Sequence, residues 1–215
     1  MELGKLIALS VVFSLLALLI IFSIVYTRKT SRAIKESQSD ITDKALLEFI
    51  NSQPDKIVNV QMLIQEFGLT KFQAGSRLRS LSHYGVLKRM HTRNGMKAFY
   101  TLGRPIDKPY DLKLTDDPFM TVEDLMVIFE HYEYQVTLQE LCLVTGLPIK
   151  VLIEEMKYFE KEKIVNYLLM TNSSGVTHSR VFTLREPYRS NPREYMSLVN
   201  ANYELKEIYQ KTRPA

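Results

Sequence analysis

The sequence is short of the residues on which most enzyme and metal chemistry depends. It has one cysteine, Cys142, and eight glycines in 215 residues. A single cysteine excludes an internal disulfide and any cysteine-rich metal site, and its place in an apolar run predicts a buried, inert thiol. The chain contains no phosphate-cradling glycine loop and no nucleophile beside a base, and its carboxylates fall on predicted helix surfaces. His83 and His91 have no Cys, Asp or Glu at ligand spacing. Neither an enzyme nor a bound metal or cofactor is therefore expected.

What is present begins with a long uncharged run. Leu6 to Tyr26 is 21 residues dense in Leu, Ile, Val and Phe, and at about 1.5 Å per residue it spans roughly 30 Å of hydrocarbon. A transmembrane helix is predicted. A cleaved leader fits less well, because the run is longer than an ordinary leader core and no small-x-small site follows it. Arg28, Lys29, Arg32 and Lys35 follow the run and only Lys5 precedes it. The positive-inside bias then predicts a single-pass protein of the cell membrane with everything after Tyr26 in the cytoplasm. Ser10, Ser14 and Ala17 share one side of the span and offer a close approach to a second copy. Residues 27–40 are polar without helix breakers, which suits a linker reaching about 45 Å when extended or a helical extension of the span.

The net charge of +4 conceals an asymmetry. Lys+Arg against Asp+Glu is 5 to 3 over residues 1–40, 11 to 5 over 41–110, 7 to 13 over 111–187 and 5 to 3 over 188–215. One globular segment is +6 and the next −6, so the two suit different partners, or each other.

Residues 41–110 read as helix, short strand, helix, turn, helix and hairpin. Thr42 caps a helix running to about Gln53, with Ala45, Leu46, Phe49 and Ile50 as its apolar stripe. Ile57 to Val60 is β-like, and Gln61 to Phe67 is a second helix. Gly68-Leu69-Thr70 turns into a third, whose Ala74, Leu78 and Leu81 recur at i, i+4, i+7 and which stops at Gly85. Val86 to Arg93 and Met96 to Leu102 are strands about Asn94-Gly95, the pair favoured by a type I′ turn. That turn would set Met90 opposite Phe99 and Arg89 opposite Tyr100.

This order resembles a winged helix-turn-helix domain, and the regulator branch it is similar to is bacterial. The resemblance implies that the third helix enters the DNA major groove and the hairpin touches backbone or minor groove. With the stripe inward, Phe72, Gln73, Ser76, Arg79, Ser80 and His83 face out, flanked by Lys71 and Arg77. Gln73 and Arg77 suit base edges, whereas Lys71, Ser76 and Arg79 suit phosphates. Lys88, Arg89, Arg93 and Lys97 on the hairpin add charge able to displace counterions from a duplex.

The next segment is a changed copy of the first. Thr121 with Asp124 and Thr137 with Glu140 are capping-box pairs. Leu152, Met156 and Phe159 repeat Ala74, Leu78 and Leu81 at an offset of 78, and Gly146-Leu147 and Ile164-Val165 repeat Gly68-Leu69 and Val86-Leu87. A longer hairpin tip at Thr171 to Gly175 ends in Phe182-Thr183-Leu184. Lys71, Gln73, Ser76 and Arg77 become Ile149, Val151, Glu154 and Glu155. Glutamates repel phosphates, so these four predict a protein contact, either a partner or a second copy. Asn191 and Pro192 open a last helix to about Lys211.

The expected fold is mainly α with small β hairpins, an α+β class. A transmembrane anchor and linker (1–40) lead to a basic winged helix (41–110), an acidic one (111–187) and a C-terminal helix (188–215). The expected function is a membrane-anchored transcriptional regulator binding double-stranded DNA through its first winged helix. The alternative is a membrane-tethered tandem winged-helix adaptor that binds protein and no DNA.

Overall fold

The computed structural model describes residues 2–115, 120–171 and 177–191. The predicted C-terminal helix beyond Asn191 and residues 172–176 of the second hairpin tip lie outside this set.

The first element, α1, is one unbroken helix, Glu2–Asp40. Its large apolar side chains from Val12 to Tyr26 are exposed, and Val12–Ile34 is long and apolar enough to cross a membrane. Arg28, Lys29 and Arg32 fall within that stretch, and Ala33 and Ile34 are buried against the rest of the protein. The lipid-compatible surface therefore ends near Tyr26. Residues 27–40, for which the sequence allowed a loose linker, are a helical extension that docks.

Beyond α1 the chain is a mixed α and β structure with two small antiparallel sheets. The order α2 (Asp43–Ser52), β1 (Ile57–Val58), α3 (Val60–Phe67), α4 (Lys71–His83), β2 (Leu87–His91), β3 (Ala98–Leu102) comes first. It recurs as α5 (Val122–His131), β4 (Gln135–Thr137), α6 (Leu138–Thr145), α7 (Ile149–Lys161), β5 (Val165–Thr171), β6 (Thr177–Leu184). Strand order is β1-β3-β2 in one sheet and β4-β6-β5 in the other.

Local chemistry accounts for the boundaries. Thr42 Oγ1 accepts from Ala45 N–H at 3.1 Å, and Thr70/Gln73, Thr121/Asp124 and Thr137/Glu140 close full capping boxes, each satisfying N–H groups that the helix leaves open. Asn59 Oδ1 accepts from Gln61 and Met62 N–H, so α3 starts at Val60, one residue before the predicted Gln61. The helices α4 and α7 both end in a Schellman turn. Val86 N–H donates to Leu81 O at 2.9 Å, and Ile164 N–H to Phe159 O at 2.9 Å. The left-handed residue is Gly85 in one copy and Lys163 in the other.

In the first hairpin Met90 pairs with Phe99 and Arg89 with Tyr100, as the turn position predicts. The turn itself is wider than type I′. Only Gly95 among its residues has a positive φ, +70°, and Thr92 N–H donates to Lys97 O at 3.0 Å. Thr92 Oγ1 also donates to Asn94 Oδ1 at 2.6 Å. The register survives because Thr92–Lys97 keeps the same centre of symmetry.

The two copies share one continuous apolar core, from Leu46, Leu47 and Leu78 to Leu125, Leu141 and Phe159. Gln139 of α6 clamps the backbone of Arg104, accepting its N–H at 3.0 Å and donating to its carbonyl at 2.8 Å. Tyr110 O–H donates to Glu48 at 3.1 Å, so the connector that leads from β3 to α5 is stitched to both halves.

Candidate functional site

The site predicted from sequence is centred on α4, and two surfaces cover that helix. One is the core, which takes Ala74, Leu78 and Leu81. The other is α1, which packs along α4. Lys29 Nζ lies 5.3 Å from the Phe72 ring centroid, a cation–π distance. Further along, Ile34 lines a small gap with Arg77, Ser80, Leu81 and Ile149. Much of the side of α4 expected to face solvent is thus occupied by α1, with Arg79 and His83 left exposed. Ser76 and Ser80 are small, which lets a second helix come close.

Arg77 corrects the prediction most sharply. Its residue is 1% exposed, with Nη1 donating to Ile41 O at 2.5 Å and Nη2 to Asp43 Oδ1 at 2.6 Å. The other carboxylate oxygen of Asp43 accepts Ile149 N–H at 3.0 Å. Pro148 occupies the N-cap position of α7 and gives no side-chain cap. Asp43, 106 residues earlier, supplies the missing acceptor and a negative charge at the helix N-terminus. One buried carboxylate therefore ties α2, α4 and α7 together.

Three other residues also differ from expectation. Ser76 is buried, Ile149 is 2% exposed and Glu155 is 3% exposed. Glu155 occupies the same position in α7 as Arg77 in α4, and in both copies this position turns into the protein. Gln73 is half-buried, and its Oε1 accepts from the Thr70 N–H and hydroxyl at 3.0 and 2.8 Å, so it is partly committed to the cap. Lys71 and Arg79 are exposed at the rim of α4. In α7, Val151 and Glu154 are exposed, and Glu154 pairs with Lys157 at 2.9 Å.

The hairpin positions all face solvent. Lys88, Arg89, Arg93 and Lys97 are exposed, with Met96 among them at 85% exposure. None of the four cations belongs to an ion pair among the described residues. The second hairpin is different. Leu168 and Leu169 are exposed on β5, and Arg180 on β6 lies 5.1 Å from the Tyr84 ring at the end of α4.

A cleft of about 410 Å³ opens where the connector meets α5, β4 and α6. Its Lys108 and Glu133 already pair at 2.6 Å. Burial and the Glu140 charge push the Tyr132 phenol up to about 12, so it stays neutral. Burial likewise raises the Cys142 thiol well above its ordinary value. Among the described residues no group of three or more His, Cys, Asp or Glu is placed to hold a metal.

Asp43 and Gln139 escape a reading by motif, because each acts on a segment far away in sequence. A signal for the α1 contact did exist. A groove-reading face bearing Phe72, Ser76 and Ser80 offers an aromatic ring and two small uncharged side chains, which suits packing against a helix better than phosphate.

Compared with known proteins, the chain matches no protein-family model and no curated sequence.

Proposed function

We propose that this protein is a single-pass, membrane-anchored adaptor made of two winged-helix-like units, and that α4 does not read DNA. The observation that carries this reading is the seat of α1 on α4, with Ser76 and Arg77 buried. A groove-entering helix must offer its donors to base edges, and here the best donor is spent on Asp43. The docked extension of α1 also removes the reach that a loose linker would give, so a partner must come to the bilayer surface. The positive charge after Tyr26 supports a cytoplasmic location for the folded part. Exposed Val151, Leu168 and Leu169 on the second unit supply apolar surface for a protein partner.

A second reading keeps DNA as the ligand, favoured by exposed Lys71, Arg79, Lys88, Arg89, Arg93 and Lys97. Titrating the full chain, held in a neutral-lipid nanodisc, with duplex DNA at several salt concentrations separates the two. The adaptor reading expects no saturable binding. A log–log salt slope near −0.9 per phosphate contacted, abolished by Arg93→Glu with Lys97→Glu, would establish the DNA reading instead. Arg77→Glu is unsuited to this test, since it breaks a buried ion pair.

A further inference from the structure

We propose that the tip of the first hairpin, Thr92–Lys97, is a docking site for the headgroup region of an anionic bilayer, the membrane being the one α1 crosses. This rests on the reading of α1 as a membrane anchor. Tyr26 ends the exposed apolar surface, and Lys29, about 4.5 Å further along the helix, sits against Phe72 in the first turn of α4. Ile34 lies by Arg77, Ser80 and Leu81 in the middle and later turns of α4. The two helices therefore run side by side in the same sense, away from the membrane, with the start of α4 at the interface.

At its far end α4 stops in a Schellman turn. Gly85 has φ +75° and its N–H donates to Ser82 O, while Val86 N–H donates to Leu81 O. The turn redirects the chain into β2, which meets α4 with Leu87 buried and Lys88 to His91 exposed. Five residues of strand cover about 17 Å, against about 20 Å for the 13 residues of α4. A strand of that length, free of the core past Leu87, is long enough to bring the tip back to the level at which α1 enters the bilayer.

The chemistry at that tip fits the location. Arg93 and Lys97 flank Met96, whose side chain is out in solvent. Lys88 and Arg89 extend the charge along β2. An unbranched thioether enters irregular apolar space readily, and long cationic side chains keep their heads among phosphates while their stems stay apolar. Positive charge near an anionic leaflet is held there within a Debye length. Duplex DNA is the poorer occupant, because the same leaflet repels its phosphates.

The test uses the full chain with Met96→Cys, labelled with an environment-sensitive fluorophore; Cys142 is buried and does not compete. The protein is reconstituted into vesicles of phosphatidylcholine alone or with phosphatidylserine. A blue shift with phosphatidylserine, reversed by high salt and absent when Arg93→Glu and Lys97→Glu are added, is the expected result. Emission that is identical in both lipids, in protein that resists carbonate extraction, overturns the docking site and leaves the anchor standing. Protein washed off by carbonate overturns both. A larger shift on adding duplex DNA to the anionic vesicles also overturns it. The substituted positions are exposed, and an unchanged melting temperature verifies that each variant folds.

Discussion

Asp43 does two jobs with its two oxygens. It neutralises the buried guanidinium of Arg77 at 2.6 Å and caps α7 through Ile149 N–H at 3.0 Å. Removing one partner of a buried pair costs about 3–5 kcal/mol, because the other charge is left in low dielectric. Asp43→Ala is therefore expected to destabilise the folded part by about that amount, while Asp43→Leu with Arg77→Met recovers much of it. Denaturant titration of the single and double variants gives the coupling. Asp124 makes a pH-dependent contribution. Burial works to raise its pKa, but hydrogen bonds from the Thr115 N–H and hydroxyl and from Thr121 outweigh this and hold it below its ordinary 3.8. A depressed carboxylate adds stability above its unfolded pKa and loses it as pH falls through the folded value. Thermal melts should fall steeply in acid for the native chain. With Asp124→Asn they should start lower at neutral pH, by about 1–3 kcal/mol, and vary less. The Thr121–Asp124 box was readable in the sequence because the two residues lie within one turn, whereas the Thr115 contact, nine residues away, was not. The Asp43 contact was not, since nothing local marks a carboxylate that serves helices 34 and 106 residues away.

Among the elements, the hairpins show what short-range pattern can and cannot specify. The Asn94-Gly95 pair fixes the centre of the first hairpin and so its register, but the side chains of Thr92 and Asn94 decide how wide the loop opens. Helix ends are equally legible where glycine marks them, as at Gly68 and Gly146, both left-handed caps. Gly103 has a different reason to be glycine. Its φ is not in the left-handed region, yet a Cβ there would come within 2.8 Å of Gly85 O and 2.9 Å of Val86 O. Its own N–H donates to Val86 O at 2.8 Å, so the strand exit is pressed onto the α4 turn. The corresponding contact in the second copy is Arg185 N–H to Ile164 O at 2.9 Å. Gly103→Ala forces backbone apart and is expected to cost about 1–3 kcal/mol, lowering the melting temperature.

At the scale of the whole molecule, α1 and the folded part are one mechanical object. The charge asymmetry and the 78-residue repeat were visible in the sequence, but the docking of α1 left a trace only on the α4 side, in Ser76 and Ser80, and none on α1 itself. Ala33 and Ile34 are the apolar pair in an otherwise polar stretch, and two residues make no periodicity. Their burial holds α4 between the core and α1, so loosening α1 should loosen α4 first. Ile34→Glu places a charge where a buried aliphatic side chain packs beside Arg77 and Ser80, a change that loses the apolar burial of about 1.5–3 kcal/mol and adds desolvation of the carboxylate. Amide exchange in the full chain is then expected to accelerate over Lys71–His83 and at Ile149, where the Asp43 cap lies against the same gap, while β5 and β6 keep their protection. Equal acceleration in every element would mean that α1 supports global stability alone. Unchanged exchange in α4 would mean that α1 is a tether without mechanical purchase on the fold, and that the buried face of α4 owes its order to Asp43 and the core.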